Sequence, residues 1–255
     1  MTKNIKKNPK EIKSFSEMEK IFRTNIQEET TQNITLKNED WLIKFNQILS
    51  KNNIKTILLF GSCLGVIRQN SLIDYDHDAD IGIFFEDLLS FHNCLPELEK
   101  EGFYISKTKK FKIHINMPNT DFCIDLMPVK KIQNIFFKLF GYKWFCDMIY
   151  FKDNFFESPK KINFKSQVFF TPNPTELYLE KTYGKNWRTP IKNRNAHLRP
   201  VLSQIIIKYF VDFPVPLEFS GDNSLGTFKP WISKLLIKTC PNAKITSSYK
   251  HPKSQ

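Results

Sequence analysis

Residues 58–85 read LLFGSCLGVIRQNSLIDYDHDADIGIFF, and within them Asp74, Asp76, Asp78 and Asp80 fall inside seven residues flanked by apolar chain. Along an extended segment side chains alternate faces, so Asp76, Asp78 and Asp80 project to one side and Tyr75, His77 and Ala79 to the other. Two unit charges about 4 Å apart repel by roughly 1 kcal/mol in bulk water, and by nearer 4 kcal/mol at an effective dielectric of about 20. A hard divalent cation, Mg²⁺ or Mn²⁺, reverses that sign, because closely held carboxylate oxygens, phosphate oxygens and water complete its octahedral shell. A solvated acidic turn fits poorly, since the apolar IGIFF follows at once. A calcium loop also fits poorly, for want of the loop glycine and the downstream glutamate.

Upstream, KTILLF is a short apolar run closed by Gly61 and reads as a buried strand, and SCLGVIRQ as a short helix opening on Ser62. A Gly-Ser pair where a strand gives way to a helix lets backbone N–H groups and a hydroxyl approach phosphate oxygens. ADIGIFF is a second strand. In DFCIDLMPV, Asp125 alternates with Ile124 and Leu126 in an apolar run, a poor place for a charge without a partner. That partner is the same cation, or alternatively Lys112 across a hairpin. A Gly-Ser turn, a D-x-D strand and a later lone aspartate together resemble the arrangement of the polymerase-beta-like nucleotidyltransferase fold. The expected class is α+β, a mixed sheet flanked by helices, with a helical C-terminal part.

The rest of the chain is read from periodicity. Residues 1–38 are polar and lysine-rich and are expected to be a poorly ordered or loosely packed arm. EDWLIKFNQILSKNN carries Trp41, Leu42, Phe45, Ile48 and Leu49 at helical spacing and stops at Asn52 and Asn53. EDLLSFHNCLPELEKEG is helical up to Gly102, with Pro96 marking a kink or a break. FYISKTKKFKIHI and FCIDLMPV alternate as the two strands of a hairpin around NMPNTD. NPTELYLEKTYG predicts a helix with Asn173 as N-cap, Pro174 at its first position, Glu176 closing a capping-box-like pair and Gly184 as the stop. A catalytic domain over 39–213 is expected to be followed by an irregular extension over 214–255.

Composition sets the wider bounds. The 255 residues are 41% hydrophobic and 14% aromatic, enough to bury a core, and the formal net charge of +12 points to polyanionic partners. Cys63, Cys94, Cys123, Cys146 and Cys240 form no CxxC pair, which indicates reduced thiols instead of a zinc ribbon or a disulfide framework. Neither a secretory h-region nor a run of about 18 apolar residues is found, so a cytoplasmic setting is expected. The basic aromatic stretch Lys130–Lys152, with Phe136, Phe137, Leu139, Phe140, Trp144 and Phe145, suits peripheral contact with an anionic membrane, or an ordinary core helix with a lysine-rich outer face.

More specifically, FGSCLGVIRQNSLIDYDHDADIGIF resembles the G-T-x-L-G-x-x-R … D-x-D-I-G-I segment of the LicD/fukutin family, the fukutin branch in particular. CIDLMP is similar to that family's D-h-x-P strand, and FFTPNPTELYLEKTYGKNWRTPIK to its closing Y-G-x-x-W-x-x-P segment; the three blocks span residues 58 to about 192 in the family's order. The resemblance implies a metal-dependent phosphotransferase that moves phosphocholine, ribitol phosphate or glycerol phosphate from a CDP-activated alcohol onto a glycan or lipid-linked glycan. By position it implies Asp78, Asp80 and Asp125 as catalytic metal ligands. Gly61, Ser62, Gly65 and Arg68 would form the donor-phosphate loop, and Tyr183, Gly184 and Trp187 the pocket wall. Ser62 stands where Thr is usual, keeping the hydroxyl, and DYDHDAD replaces the common Trp-Asp-Asp-Asp run, leaving Asp76 as an outer support or a ligand to a second ion. His114 is the alternative proton acceptor to Asp125. Two other readings stay open: a nucleotidyltransferase that adds NMP from an NTP to a small molecule, RNA or protein, and a basic nucleic-acid-binding module. Nucleic acid is not the expected partner.

Overall fold

In the computed structural model, residues 11–28, 36–109, 111–147 and 149–190 are described. In chain order the elements are α1 Phe15–Arg23, α2 Asn38–Lys51, β1 Ile57–Leu58, α3 Phe60–Gln69, β2 Asp78–Phe84, a 3-10 turn Phe85–Asp87, α4 Leu88–Lys100, β3 Tyr104–Lys109, β4 Lys112–Asn116, β5 Cys123–Lys131, α5 Ile135–Leu139, β6 Trp144–Cys146, β7 Ile149–Phe151, β8 Lys160–Phe164, β9 Gln167–Thr171 and α6 Thr175–Tyr183. Among the described residues the strands run β3-β4-β5-β2-β1-β9-β8, with β6 paired to β5 and β7 to β6. The β2–β5 and β1–β9 pairs are parallel and the others antiparallel, so the sheet is mixed and the class α+β, as the motifs imply.

The apolar spacing of α2 buries Trp41, Leu42, Phe45, Ile48 and Leu49, and Asn52 caps its C-terminus. α4 passes through Pro96 as one helix, which settles the choice between kink and break against a break. FYISKTKKFKIHI is not one strand but two: β3 and β4 fold back on each other, and β4 then pairs antiparallel with β5 as the expected hairpin. The Lys130–Lys152 stretch divides into α5 and the β6–β7 hairpin; Phe137, Trp144 and Phe145 are buried, while Leu139 and Phe140 are exposed. No helix of the described residues is long and apolar enough to cross a membrane. The expected irregular extension over 214–255, the helical C-terminal part and Cys240 lie outside the described residues.

The N-terminal arm departs from its expectation. Ser14 caps α1 by accepting the Glu17 N–H (3.1 Å), and Glu17 Oε2 accepts the Lys13 N–H (2.9 Å), so the first turn is well closed. Phe15, Met18 and Phe22 sit at i, i+3 and i+7 and are all fully buried. Phe15 meets Phe85, Phe111 and Phe145 edge to face at 4.9–5.3 Å, and Phe22 meets Phe91 at 5.6 Å. Beyond the helix the Gln27 N–H donates to the Ile105 carbonyl (2.9 Å), which ties the arm to β3. The helix is thus part of the core, not a loose tail. Phe22→Ala is expected to lower unfolding free energy by about 3–5 kcal/mol, the usual loss for an aromatic deleted from a packed core. Urea unfolding checks this, and a loss below about 1 kcal/mol would place α1 outside the cooperative unit.

Candidate active site

Two parallel central strands bring the acids together. Asp78 pairs with Cys123 and Asp80 with Asp125 in the β2–β5 register, while β4 sets His114 opposite Asp125 and Asn116 opposite Cys123. Because faces alternate, Asp78, Asp80, Cys123, Asp125, Lys112, His114 and Asn116 share one side, and Ala79, Ile81, Ile113, Ile115, Ile124 and Leu126 bury the other. One carboxylate oxygen each from Asp78, Asp80 and Asp125 lie within 4.8 Å of one another. Three hard oxygen donors at that spacing fit an octahedral divalent cation that keeps several waters. The lysine partner weighed for Asp125 is also present: Lys112 Nζ donates to Asp125 Oδ2 at 2.6 Å, and His114 Nδ1 stands 2.5 Å from Asp125 Oδ1.

The electrostatics divide the acids into two kinds. Burial, a hydrogen bond with Asp76 and the charges of Asp76 and Asp125 push the Asp78 carboxyl up to about 7, with Lys112 opposing. Burial and the Asp78 charge raise Asp80 well above the carboxylate range, although Lys112 and the Gly61 N–H work against them. Asp125 goes the other way: burial would raise it, but His114 and Lys112 outweigh burial and hold it below its ordinary value. Burial also works to lower the Lys112 ammonium, yet Asp147, Asp125 and Asp80 leave it raised. One lysine therefore serves four acids, Asp78, Asp80, Asp125 and Asp147.

The β1–α3 junction explains the Gly-Ser pair. Phe60 has φ +37°, in the left-handed region that bulky residues rarely adopt, and it is held there by burial and by its N–H donating to Tyr178 Oη (3.2 Å). This turn presents the Gly61 N–H to Asp80 Oδ2 (3.1 Å), and the Ser62 hydroxyl accepts the Asp80 N–H (2.8 Å). A Cβ on Gly61 would lie 2.6 Å from Asp76 Oδ2 and 3.5 Å from Asp80 Oδ2, so the missing side chain is the space the carboxylates occupy. The helix opens at Phe60, not Ser62, and the expected phosphate loop is its first turns. Gly61 and Ser62 here position Asp80. Gly65 serves packing, since a Cβ there would meet the Ser71 carbonyl oxygen at 2.6 Å.

Arg68 and Tyr183 border the acids. Burial, then Asp80, Cys63 and Asp76, raise the Tyr183 hydroxyl, with Arg68 opposing, which puts the phenol and the guanidinium in one electrostatic neighbourhood with Asp76 and Asp80. Arg68 is half-buried, and its Nε has no hydrogen-bond partner. Trp187 is buried, with the Arg188 guanidinium stacked 4.2 Å over its ring, and the structure gives it a packing contact, not one with the acids. His77 lies just before β2 and is exposed. Two contributors escaped the sequence reading. Tyr178 looks like any apolar helix position, and Asp147 lies in the β6–β7 turn (φ +41°) with no local pattern linking it to Lys112. The predicted helix is α6, but Pro174, not Asn173, stands at its N-cap, with no side-chain cap bond; Gly184 ends it at φ +88°.

Residues 53–177 match the LicD family model, described as the LicD/FKTN/FKRP nucleotidyltransferase domain. Over 91 residues the chain is 34% identical to Uncharacterized protein RP689 of Rickettsia prowazekii (strain Madrid E), covering 36% of this chain and 32% of that protein. Over 195 residues it is 24% identical to Ribitol-5-phosphate transferase FKTN of Homo sapiens, covering 70% of this chain and 39% of that protein. The chain thus spans about a third of the length of these curated relatives. Among solved structures, antibiotic-resistance factor ANT(2'')-Ia aligns with a TM-score of 0.40 at 10% identity, covering 66% of this chain and 80% of that one. The matched stretch contains the whole aspartate cluster, and the chain is a member of the LicD/fukutin-like family.

Proposed function

We propose that this chain is a metal-dependent phosphotransferase that moves a phospho-alcohol from a CDP-linked donor to a glycan hydroxyl and releases CMP. The observation that carries the reading is the register of β2 on β5, which gathers Asp78, Asp80 and Asp125 into one set of oxygens beside Arg68 and Tyr183. The printed name of the human relative, a ribitol-5-phosphate transferase, supports an alcohol phosphate as the transferred group; ribitol phosphate, glycerol phosphate and phosphocholine share that chemistry. Asp78, Asp80 and Asp125 would hold Mg²⁺ or Mn²⁺, which supplies positive charge against the donor's diphosphate when bound.

The chain's own groups do the rest by positioning. The acceptor hydroxyl oxygen would form a bond to the donor's β-phosphorus as the bond to CMP breaks in line with it, the hydroxyl proton passing to Asp125 or to His114, and little other covalent chemistry falls to the protein. Gly61 and Ser62 fix Asp80 from its carboxylate and its backbone, so its oxygen is set before the donor arrives. Lys112 and His114 keep Asp125 ionised at neutral pH. Arg68, with a nitrogen uncommitted to the protein, offers its guanidinium to phosphate oxygens.

Incubation with Mg²⁺ and, separately, CDP-ribitol, CDP-glycerol, CDP-choline and CTP tests the reading. CMP should be released from at least one CDP-alcohol. Pyrophosphate from CTP alone would favour NMP transfer, and no turnover of any would overturn the assignment. Asp78→Asn and Asp80→Asn are each expected to lower CMP release by about 100- to 1,000-fold, the range seen when one preorganised electrostatic group is removed, with melting temperatures that show the fold intact.

Asp78 also predicts an unusual pH dependence. Burial and the neighbouring Asp76 and Asp125 push its carboxyl from an ordinary 3.8 up to about 7, so between those values the folded state holds more protons than the unfolded one. Stability from this group therefore falls as pH rises from about 4 to about 7, and is level above. Asp78→Asn removes this dependence. Without added metal, its melting temperature should exceed that of the parent most above pH 7, and the gap should close towards pH 4. Thermal melts across pH 4–8 measure this, and a gap independent of pH would contradict it.

A further inference from the structure

Asp125 belongs to two donor sets. One is the all-oxygen trio with Asp78 and Asp80; the other is a mixed trio, His114, Cys123 and Asp125, whose nitrogen, sulfur and oxygen also lie within 4.8 Å of one another. The sheet builds the second trio as firmly as the first. His114 pairs directly with Asp125 across the β4–β5 ladder, and Cys123 lies two residues before Asp125 on the same face of β5. Cys123 is a free thiol and, among the described cysteines, the one that is not fully buried. His114 Nε2 is buried and has no hydrogen-bond partner.

We propose that His114, Cys123 and Asp125 form a capture site for a borderline-soft divalent cation of the Zn²⁺ class, separate in ligand chemistry from the hard-cation trio and mutually exclusive with it through Asp125. A thiolate, an imidazole and a carboxylate are the three ligand types that zinc takes, and three protein ligands leave a fourth tetrahedral position open, the pattern of a reversible site. With metal–ligand bonds of about 2.0–2.3 Å, tetrahedral ligand atoms stand about 3.3–3.7 Å apart. The trio's spread accommodates that, provided the 2.5 Å His114–Asp125 contact opens by about 1 Å. On binding, the Cys123 S–H bond breaks, its proton leaves to solvent and the sulfur's electron pair forms the S–metal bond, so atoms and charge balance. The charged groups facing the site are Lys112, which repels the ion but holds the Oδ2 side of Asp125, and Asp78 and Asp80, which attract it. Hard Mg²⁺ gains nothing from sulfur, so the two trios divide cations by softness. A soft ion on the mixed trio withdraws one oxygen from the hard one; inhibition of phosphotransfer follows only if the proposed function holds, whereas the binding itself does not depend on it.

Cobalt(II) is the probe, because thiolate ligation gives it a charge-transfer absorption that oxygen and nitrogen ligands do not. The reduced full chain titrated with Co²⁺ should develop that band at one equivalent and lose it on adding Zn²⁺, but not on adding a large excess of Mg²⁺. The band should vanish in Cys123→Ser, weaken in His114→Ala, and persist in Cys94→Ser and Asp78→Asn, with melting curves confirming that each variant is folded. Absence of the band in the parent, or its survival in Cys123→Ser, overturns the proposal whether or not the chain turns over a CDP-alcohol. If turnover is observed, micromolar Zn²⁺ should inhibit the parent at fixed Mg²⁺ and leave Cys123→Ser largely resistant; equal inhibition of both would deny the site any control of the reaction.

Discussion

Like-charge crowding is the constraint around which this structure is arranged. Pairs of carboxylates at about 4 Å repel by about 4 kcal/mol each where the effective dielectric is near 20, and Asp78, Asp80 and Asp125 each place one oxygen within 4.8 Å of the others, with Asp76 hydrogen-bonded to Asp78. The protein meets the repulsion in three different ways. Asp125 is held ionised by Lys112 and His114, the Asp78 carboxyl is pushed up by burial and by its hydrogen bond with Asp76, and Asp80 is tethered by an N–H from the first turn of α3. None of these relieves the crowding in full, because the single ammonium of Lys112 is divided among Asp125, Asp147, Asp80 and Asp78. The strained φ of Phe60 belongs to the same account: a more relaxed junction would turn the Gly61 N–H away from Asp80.

Much of this was legible in the sequence because the relevant signals are local. Period-two alternation places Asp78 and Asp80 on one face, and the apolar run around Asp125 marks a buried strand with one anomalous charge. The glycine turn before the acids marks a close approach, which the structure attributes to Asp76 and Asp80 at Gly61. Alternation cannot supply register, however. That Asp80 pairs with Asp125, and His114 with Asp125 from the other side, follows from long-range pairing that no short window contains. Tyr178 and Asp147 were hidden for the same reason, since each acts on a residue far from it in the chain.

The misread elements share a physical cause. FYISKTKKFKIHI alternates continuously because its reversal lacks glycine and proline, so the break between β3 and β4 left no compositional mark. The arm containing Phe15, Met18 and Phe22 reads as polar because three buried residues suffice for a helix whose other faces are solvated lysine and glutamate. Gly61 and Ser62 carry a role their residue types do not announce, since both hydrogen-bond Asp80, and serine in place of threonine keeps the hydroxyl that accepts the Asp80 N–H.

A final tension lies between the whole chain and its site. The formal charge of +12 draws anions towards the protein at long range, yet the pocket at which a phosphate would arrive is rich in carboxylates. A bare diphosphate would gain from the field at a distance and lose at contact, where Lys112 is already engaged. On the proposed reading the conflict resolves, because a diphosphate carrying a divalent cation has reduced negative charge on approach and offers the acids a cation on arrival. Among the three acids Asp125 alone is held below its ordinary value by protein groups, and it is the one that belongs to both trios; Asp78 and Asp80, raised chiefly by burial, would release a proton when an ion binds.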